Sequence, residues 1–204
     1  MRLVFVHGWG FDATLWDGIA GALTDYSQCR VEVGFLGGAA TTTELSPDDV
    51  LIGHSLGLLW GLAQGNWRQV IAINSFARFS GAPEAGACVP PASLRAMRLS
   101  LARNAGKTLA NFYRAIDHTA LADRYDAKRL ADGLALLESQ HITEPPPQPW
   151  LILAARHDPL VPVTASEHLA AITDSAVTWS ETGGHLLPLT RPLWCADVIR
   201  AFLA

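Results

Sequence analysis

The sequence predicts an α/β fold: a mostly parallel sheet of about six strands with helices on both faces and one helical insertion. Three observations carry this. Short continuous apolar runs recur along the chain, as strands buried on both faces require. Segments with apolar residues at helical spacing lie between them, the alternation of a sheet built through crossover helices. That alternation breaks once, between Arg78 and Pro145.

In order, Leu3–Val6 reads as a buried strand that stops at His7-Gly8. Leu15, Trp16, Ile19 and Leu23 place a helix over Thr14–Leu23. Arg30–Phe35 is predicted as the second strand and Val50–Ile52, ending at Gly53, as the third. A helix is expected from Leu56 to about Gln64. Val70–Ile73, Leu151–Ala154 and Val177–Trp179 complete the strands, and Thr164–Ile172 and Trp194–Leu203 are the remaining helices. Between Arg78 and Pro145 no strand-like run occurs, and Gly81, Pro83 and Pro90-Pro91 interrupt the pattern. Leu94, Met97, Leu101, Leu109, Phe112 and Ile116 suit one or two amphipathic helices, and Leu130, Leu134 and Leu137 another. The chain therefore divides into a core of residues 1–77 and 146–204 and a helical insertion, 78–145, expected as a lid.

Composition narrows the function. The chain has 204 residues, half of them apolar, which fits one domain of ordinary size. A net charge of −4 argues against nucleic acid as a partner. Cys29, Cys88 and Cys195 lie far apart without a C-x-x-C spacing, so they read as reduced thiols rather than metal ligands. No stretch approaches the roughly 18 apolar residues of a membrane span, and the opening apolar run is too short for a signal peptide. The expectation is a cytoplasmic protein that needs no metal and no cofactor.

One motif carries chemistry. Gly53-His54-Ser55-Leu56-Gly57 is a G-x-S-x-G sequence between an apolar strand and a helix. In that context the serine sits on a sharp strand-to-helix turn, and small flanking residues let the backbones approach. The helix N-terminus supplies free N–H groups, so the Leu56 amide is expected as one oxyanion donor. His7-Gly8-Trp9-Gly10 follows the first strand and would present the Trp9 N–H as the second. His7 itself is expected to hold that loop by hydrogen bonds. A serine hydroxyl needs a histidine base, and the histidine needs a carboxylate to fix its tautomer. Asp158 follows the fifth strand, and Pro159 disfavours helix there, leaving the carboxylate in a loop. His185 follows the last strand behind Gly183-Gly184. Ser55, Asp158 and His185 thus fall in the chain order nucleophile, acid, base, each in its own loop. His157, His54, His118, His141 and His168 are weaker candidates, and Asn74-Ser75 rather than an acid follows the fourth strand.

With these motifs the sequence resembles the α/β-hydrolase superfamily, and within it the pimeloyl-[acyl-carrier protein] methyl ester esterases of biotin synthesis. The narrower resemblance rests on His7-Gly8-Trp9-Gly10 with Ala13 and Trp16, the Ser55 elbow, Asp158 with Val161-Pro162, and the His185 loop. It extends to Lys107-Thr108 and Asn111-Phe112 in the insertion. It implies the α/β-hydrolase fold, from which this sequence departs: the usual N-terminal hairpin is expected to be missing, and the link between Phe35 and Val50 leaves no room for the usual helix before the nucleophile strand. It also implies a serine carboxylesterase that releases methanol from the carrier-bound ester. Trp9, Leu56, Phe112, Tyr113, Ala115, Ile116 and His185 would then contact the substrate. A generic short-chain carboxylesterase or thioesterase is the alternative, and a non-catalytic ligand-binding member of the fold a further one; a dehalogenase would carry Asp at position 55.

Charge patterning points to a partner. Residues 78–145 carry nine basic and seven acidic side chains, against six basic and twelve acidic elsewhere. Arg103, Lys107 and Arg114 fall at spacings that share a helix face, and Arg124 and Lys128 form an i, i+4 pair. A solvated helix face is the plain reading. On a lid, the stripe would also steer an acidic acyl-carrier protein, and the resemblance matches Lys107, Arg124 and Lys128 to basic lid residues.

Overall fold

The computed structural model describes residues 1–119 and 122–204. Six strands form one sheet in which every neighbouring pair is parallel: β1 (Arg2–Val6), β2 (Ser27–Val31), β3 (Val50–His54), β4 (Gln69–Ile73), β7 (Trp150–Ala155) and β8 (Val177–Ser180), in the order β2-β1-β3-β4-β7-β8. Alternate side chains build two cores. Leu3, Phe5, Ile52, Ile71 and Leu153 point to the face covered by α1 (Asp17–Ala22) and α8 (Pro192–Leu203). Val4, Val6, Leu51, Val70 and Ile152 point to the other, against Leu58 of α2 (Leu56–Leu62) and Leu169 of α6 (Val163–Ile172). A short helix, α7 (Leu187–Thr190), precedes α8. The chain order reverses around β1, which lies between β2 and β3; crevices of this kind at strand carboxyl ends are where open α/β sheets bind ligands.

Two readings of the strands need correction. The second strand spans Ser27–Val31, not Arg30–Phe35, because its register with β1 pairs Arg2 with Ser27 and ends at Val6 with Val31. Beyond Val31 the backbone leaves the sheet, and Gly34 takes φ +92°. As an edge strand, β2 tolerates Ser27, Gln28 and Arg30, so its apolar signal is weak. The insertion also contains a two-stranded parallel sheet, β5 (Arg78–Ser80) with β6 (Ala87–Val89). Strands of three residues are too short to show periodicity. After them come three helices, α3 (Pro91–Arg103), α4 (Ala105–Ala115) and α5 (Ala127–Ser139). No helix among the described residues is long and apolar enough to cross a membrane.

Glycine sets the closest approach in the sheet. A Cβ at Gly57 would stand 2.1 Å from the Val6 carbonyl oxygen, and one at Gly53 would stand 2.6 Å from the Leu58 backbone. The obstacles are backbone atoms, which cannot rotate away. We therefore expect Gly57→Ala to cost about 3 kcal/mol or more, measured as a lowered urea midpoint.

Candidate active site

The buried polar side chains concentrate at the carboxyl ends of the strands: His7 after β1, His54 and Ser55 at β3, Asn74 and Ser75 after β4, Ser180 in β8 and His185 beyond it. Ser55 has φ +53° and ψ −124°, a conformation that costs a non-glycine residue of order 1–3 kcal/mol. Two contacts hold it there. Its N–H donates to the Ile73 carbonyl (3.2 Å), and the Ser75 hydroxyl donates to the Ser55 carbonyl (2.8 Å). Leu56 is the first residue of α2, so its N–H has no acceptor within the helix.

Asp158 is fixed by its own loop. Its Oδ1 accepts the N–H groups of Leu160 (2.8 Å) and Val161 (2.9 Å), which turns Oδ2 toward His185 Nδ1 at 2.8 Å. Both side chains are 1% exposed. With Nδ1–H donated to the carboxylate, Nε2 of the neutral imidazole carries a lone pair. Among the described residues this buried Nε2 has no hydrogen-bond partner, an arrangement ready to accept a proton. His185 sits on a short 3₁₀ turn entered through Gly183 (φ +106°) and Gly184 (φ +56°).

His54 lies against this pair. Its ring centroid is 4.9 Å from that of His185, and its Nε2–H donates to the His185 carbonyl (2.9 Å). Burial, reinforced by His185, holds its pKa well below the ordinary 6.5. His7 takes the structural place expected for it: Val33 N–H donates to its Nε2 (3.0 Å), leaving Nδ1–H to donate to the Gly8 carbonyl (3.0 Å). His157 and His141 are exposed, and His118 and His168 are half-buried.

The insertion rests on the loop after β1. The Trp9 indole N–H donates to the Leu130 carbonyl of α5 (2.8 Å), and the Tyr113 hydroxyl donates to the Gly10 carbonyl. Phe112 stacks edge-on against Trp9 at 4.9 Å, and Ile116 is buried nearby in the same core. Leu56 lines a cavity of about 170 Å³ with Val33, Phe35, Trp60, Gly133 and Leu136. Two of the expected substrate contacts are placed otherwise. Ala115 faces solvent, and the Tyr113 hydroxyl is committed to Gly10.

The expected charge stripes also differ. Arg103 ends α3, and Asn104, with φ −158°, breaks the helix before Lys107, so Arg103 and Lys107 lie on separate helices. Arg124 precedes α5, so it makes no helical pair with Lys128, whose ammonium instead binds Asp132 (2.7 Å). Lys107, Arg114, Arg124 and Lys128 are all exposed. Among the described residues no three His, Cys, Asp or Glu side chains cluster as metal ligands.

Sequence reasoning passed over Asn74, Ser75 and His54 as members of the site. The available signal was a run of polar residues directly after buried strands, where an unpaired polar group is costly.

No protein-family model and no curated protein matches the chain. Solved structures do. An esterase from Exiguobacterium antarcticum superposes with a TM-score of 0.84 at 14% identity, covering 100% of this chain and 91% of that one. A hydrolase from Oleispira antarctica gives 0.81 at 16% identity, with 99% and 90% covered. A thermophilic esterase from Thermogutta terrifontis gives 0.73 at 20% identity, with 100% and 89% covered. The chain has the α/β-hydrolase fold.

The neutral, buried His54 has a consequence for stability. Unfolding lets it bind a proton once the pH falls below its ordinary 6.5. Its contribution is complete above that pH and declines as the pH falls toward the folded-state pKa, by up to ~1.4 kcal/mol per unit. The carboxylates held low, Glu32 and Asp49, act only at lower pH. Urea unfolding at pH 7.5 and pH 5 should show this loss, and His54→Gln should flatten it.

Proposed function

We propose that the protein is a serine carboxylesterase acting through Ser55, His185 and Asp158. The observation that supports this most is the His185–Asp158 pair, oriented at 2.8 Å with Nε2 open, its imidazole 4.9 Å from that of His54, the residue before a serine held in strained backbone on a helix N-terminus. In the reaction, Ser55 Oγ attacks the ester carbonyl while His185 Nε2 takes its proton, and Asp158 stabilises the resulting imidazolium. The N–H groups of Leu56 and Trp9 receive the developing oxyanion. His185 then protonates the departing alcohol, and water cleaves the acyl-enzyme by the same route in reverse. A neutral His54 suits this cycle, since a second cation 4.9 Å away would oppose the imidazolium.

Within that reading, the sequence resemblance favours pimeloyl-[acyl-carrier protein] methyl ester, cleaved to pimeloyl-[acyl-carrier protein] and methanol. The exposed Lys107, Arg114, Arg124 and Lys128 on the helical lid offer a basic approach for an acidic carrier, with Lys128 weakened by Asp132. A generic short-chain carboxylesterase or thioesterase uses the same triad, and substrate comparison separates them.

Ser55→Ala and His185→Ala should each lower ester hydrolysis by roughly 10⁴-fold or more, and Asp158→Asn by a similar or smaller factor. A serine-directed phosphonate should label Ser55, as peptide mass mapping would show; near wild-type turnover by Ser55→Ala would rule the scheme out. Comparing kcat/KM for free methyl esters, acyl thioesters and the carrier-bound ester identifies the substrate. If the carrier is the partner, Arg124→Glu with Lys128→Glu should raise KM for the carrier-bound ester alone and weaken its salt dependence. Equal losses on a small ester would mean a damaged lid.

A further inference from the structure

Asn74 follows β4 directly, is fully buried and adopts a left-handed backbone, φ +43°. Four hydrogen bonds leave it in two directions. Its backbone N–H donates to the Leu153 carbonyl (2.8 Å), and its side-chain oxygen accepts the Ala155 N–H (2.9 Å), so it grips the end of β7, the strand that leads to Asp158. Its side-chain nitrogen donates to the carbonyls of Gly184 (2.7 Å) and His185 (2.8 Å). The His185 carbonyl receives a second donor, His54 Nε2–H. Next in sequence, Ser75 donates to the Ser55 carbonyl. The dipeptide after β4 therefore touches the backbones of Ser55, of the loop that carries His185 and of the strand that leads to Asp158.

We propose that Asn74, assisted by His54 and Ser75, is a positioning residue that sets His185 relative to Asp158 and Ser55; this rests on the esterase reading above. The need for it is physical. Gly183 and Gly184 leave the His185 loop with little conformational preference of its own. Elsewhere Thr190 holds the loop by donating to the Gly183 and Leu186 carbonyls, which leaves the carbonyls of residues 184 and 185 to Asn74 and His54. Both amide hydrogens of Asn74 are used, one on each carbonyl, so a shift of the loop in either direction stretches a bond. Because the same side chain is anchored to β7, the acid and the base share one reference point.

Asn74→Gly tests this, since glycine keeps the left-handed backbone without strain and removes only the clamp. We expect kcat to fall about 100-fold with KM changed no more than about twofold, as misplacement of a catalytic group does. The far-downfield ¹H NMR resonance of the His185 Nδ1–H, which reports its bond to Asp158, should broaden or disappear. His54→Leu should give the same changes at about tenfold in kcat, and His54→Gln, whose amide can reach the same carbonyl, should recover most of that loss. A folded Asn74→Gly protein with wild-type kcat and an unchanged resonance overturns the proposal. Should that variant not fold, His54→Leu with wild-type kcat and resonance overturns it instead. A wild-type protein that cleaves no ester and resists the phosphonate refutes the esterase reading, and the resonance in the variants then decides the clamp alone.

Discussion

At Gly57, α2 lies against the end of β1 at a separation that no side chain permits: an added Cβ would stand 2.1 Å from the Val6 carbonyl oxygen. This contact draws the start of α2 beside the loop that leaves β1. The Leu56 N–H, free because it begins a helix, is thereby brought toward the loop of Gly8 and Trp9. Gly8 continues the same requirement, since a Cβ there would lie 3.1 Å from that of Ser55 and 2.9 Å from His54 Nδ1. The strained backbone of Ser55 follows from the geometry: strand and helix meet too closely for an ordinary turn. The cost of about 1–3 kcal/mol is borne because β4 and Ser75 hold both sides of the residue.

Collecting polar side chains at the ends of buried strands carries a second cost, that of removing them from water. Most of them recover it through bonds to backbone. Asn74 uses its oxygen and its nitrogen, and Asp158 accepts two N–H groups besides that of His185. His7 spans the backbone of two loops. Among the described residues two buried atoms of this network are left unpaired, His54 Nδ1 and His185 Nε2. An unpaired buried acceptor is destabilising, and on the esterase reading the lone pair at His185 Nε2 is the one the base uses.

Legibility in the sequence followed the strength of the local signal. Buried central strands such as Leu3–Val6 and Val70–Ile73 are unbroken apolar runs, and the structure places strands over them. The edge strand β2 and the three-residue strands of the insertion lack such runs, so one was shifted and two were missed. The Asp158–His185 pair was readable because each residue follows a strand in a proline- or glycine-marked loop, and the turn at Ser55 because glycines flank it. Asn74 was visible only as the absence of an acid, because its role depends on partners 81 and 110 or more residues away, which spacing cannot reveal. The basic stripe failed for a related reason: helical spacing was extended through Asn104, where the helix ends and a new one is capped.

The hydrogen bonds from Trp9 to α5 and from Tyr113 to Gly10 attach the insertion to the loop that carries the Trp9 N–H. Ser55 itself is only 6% exposed. Any swing of α4 away from the core breaks its bond to the Gly10 carbonyl and unsettles the peptide next to Trp9. On the esterase reading, the loop proposed to receive the oxyanion is held only while α4 is seated, and an acyl group too large for that helix to close over meets a loose one.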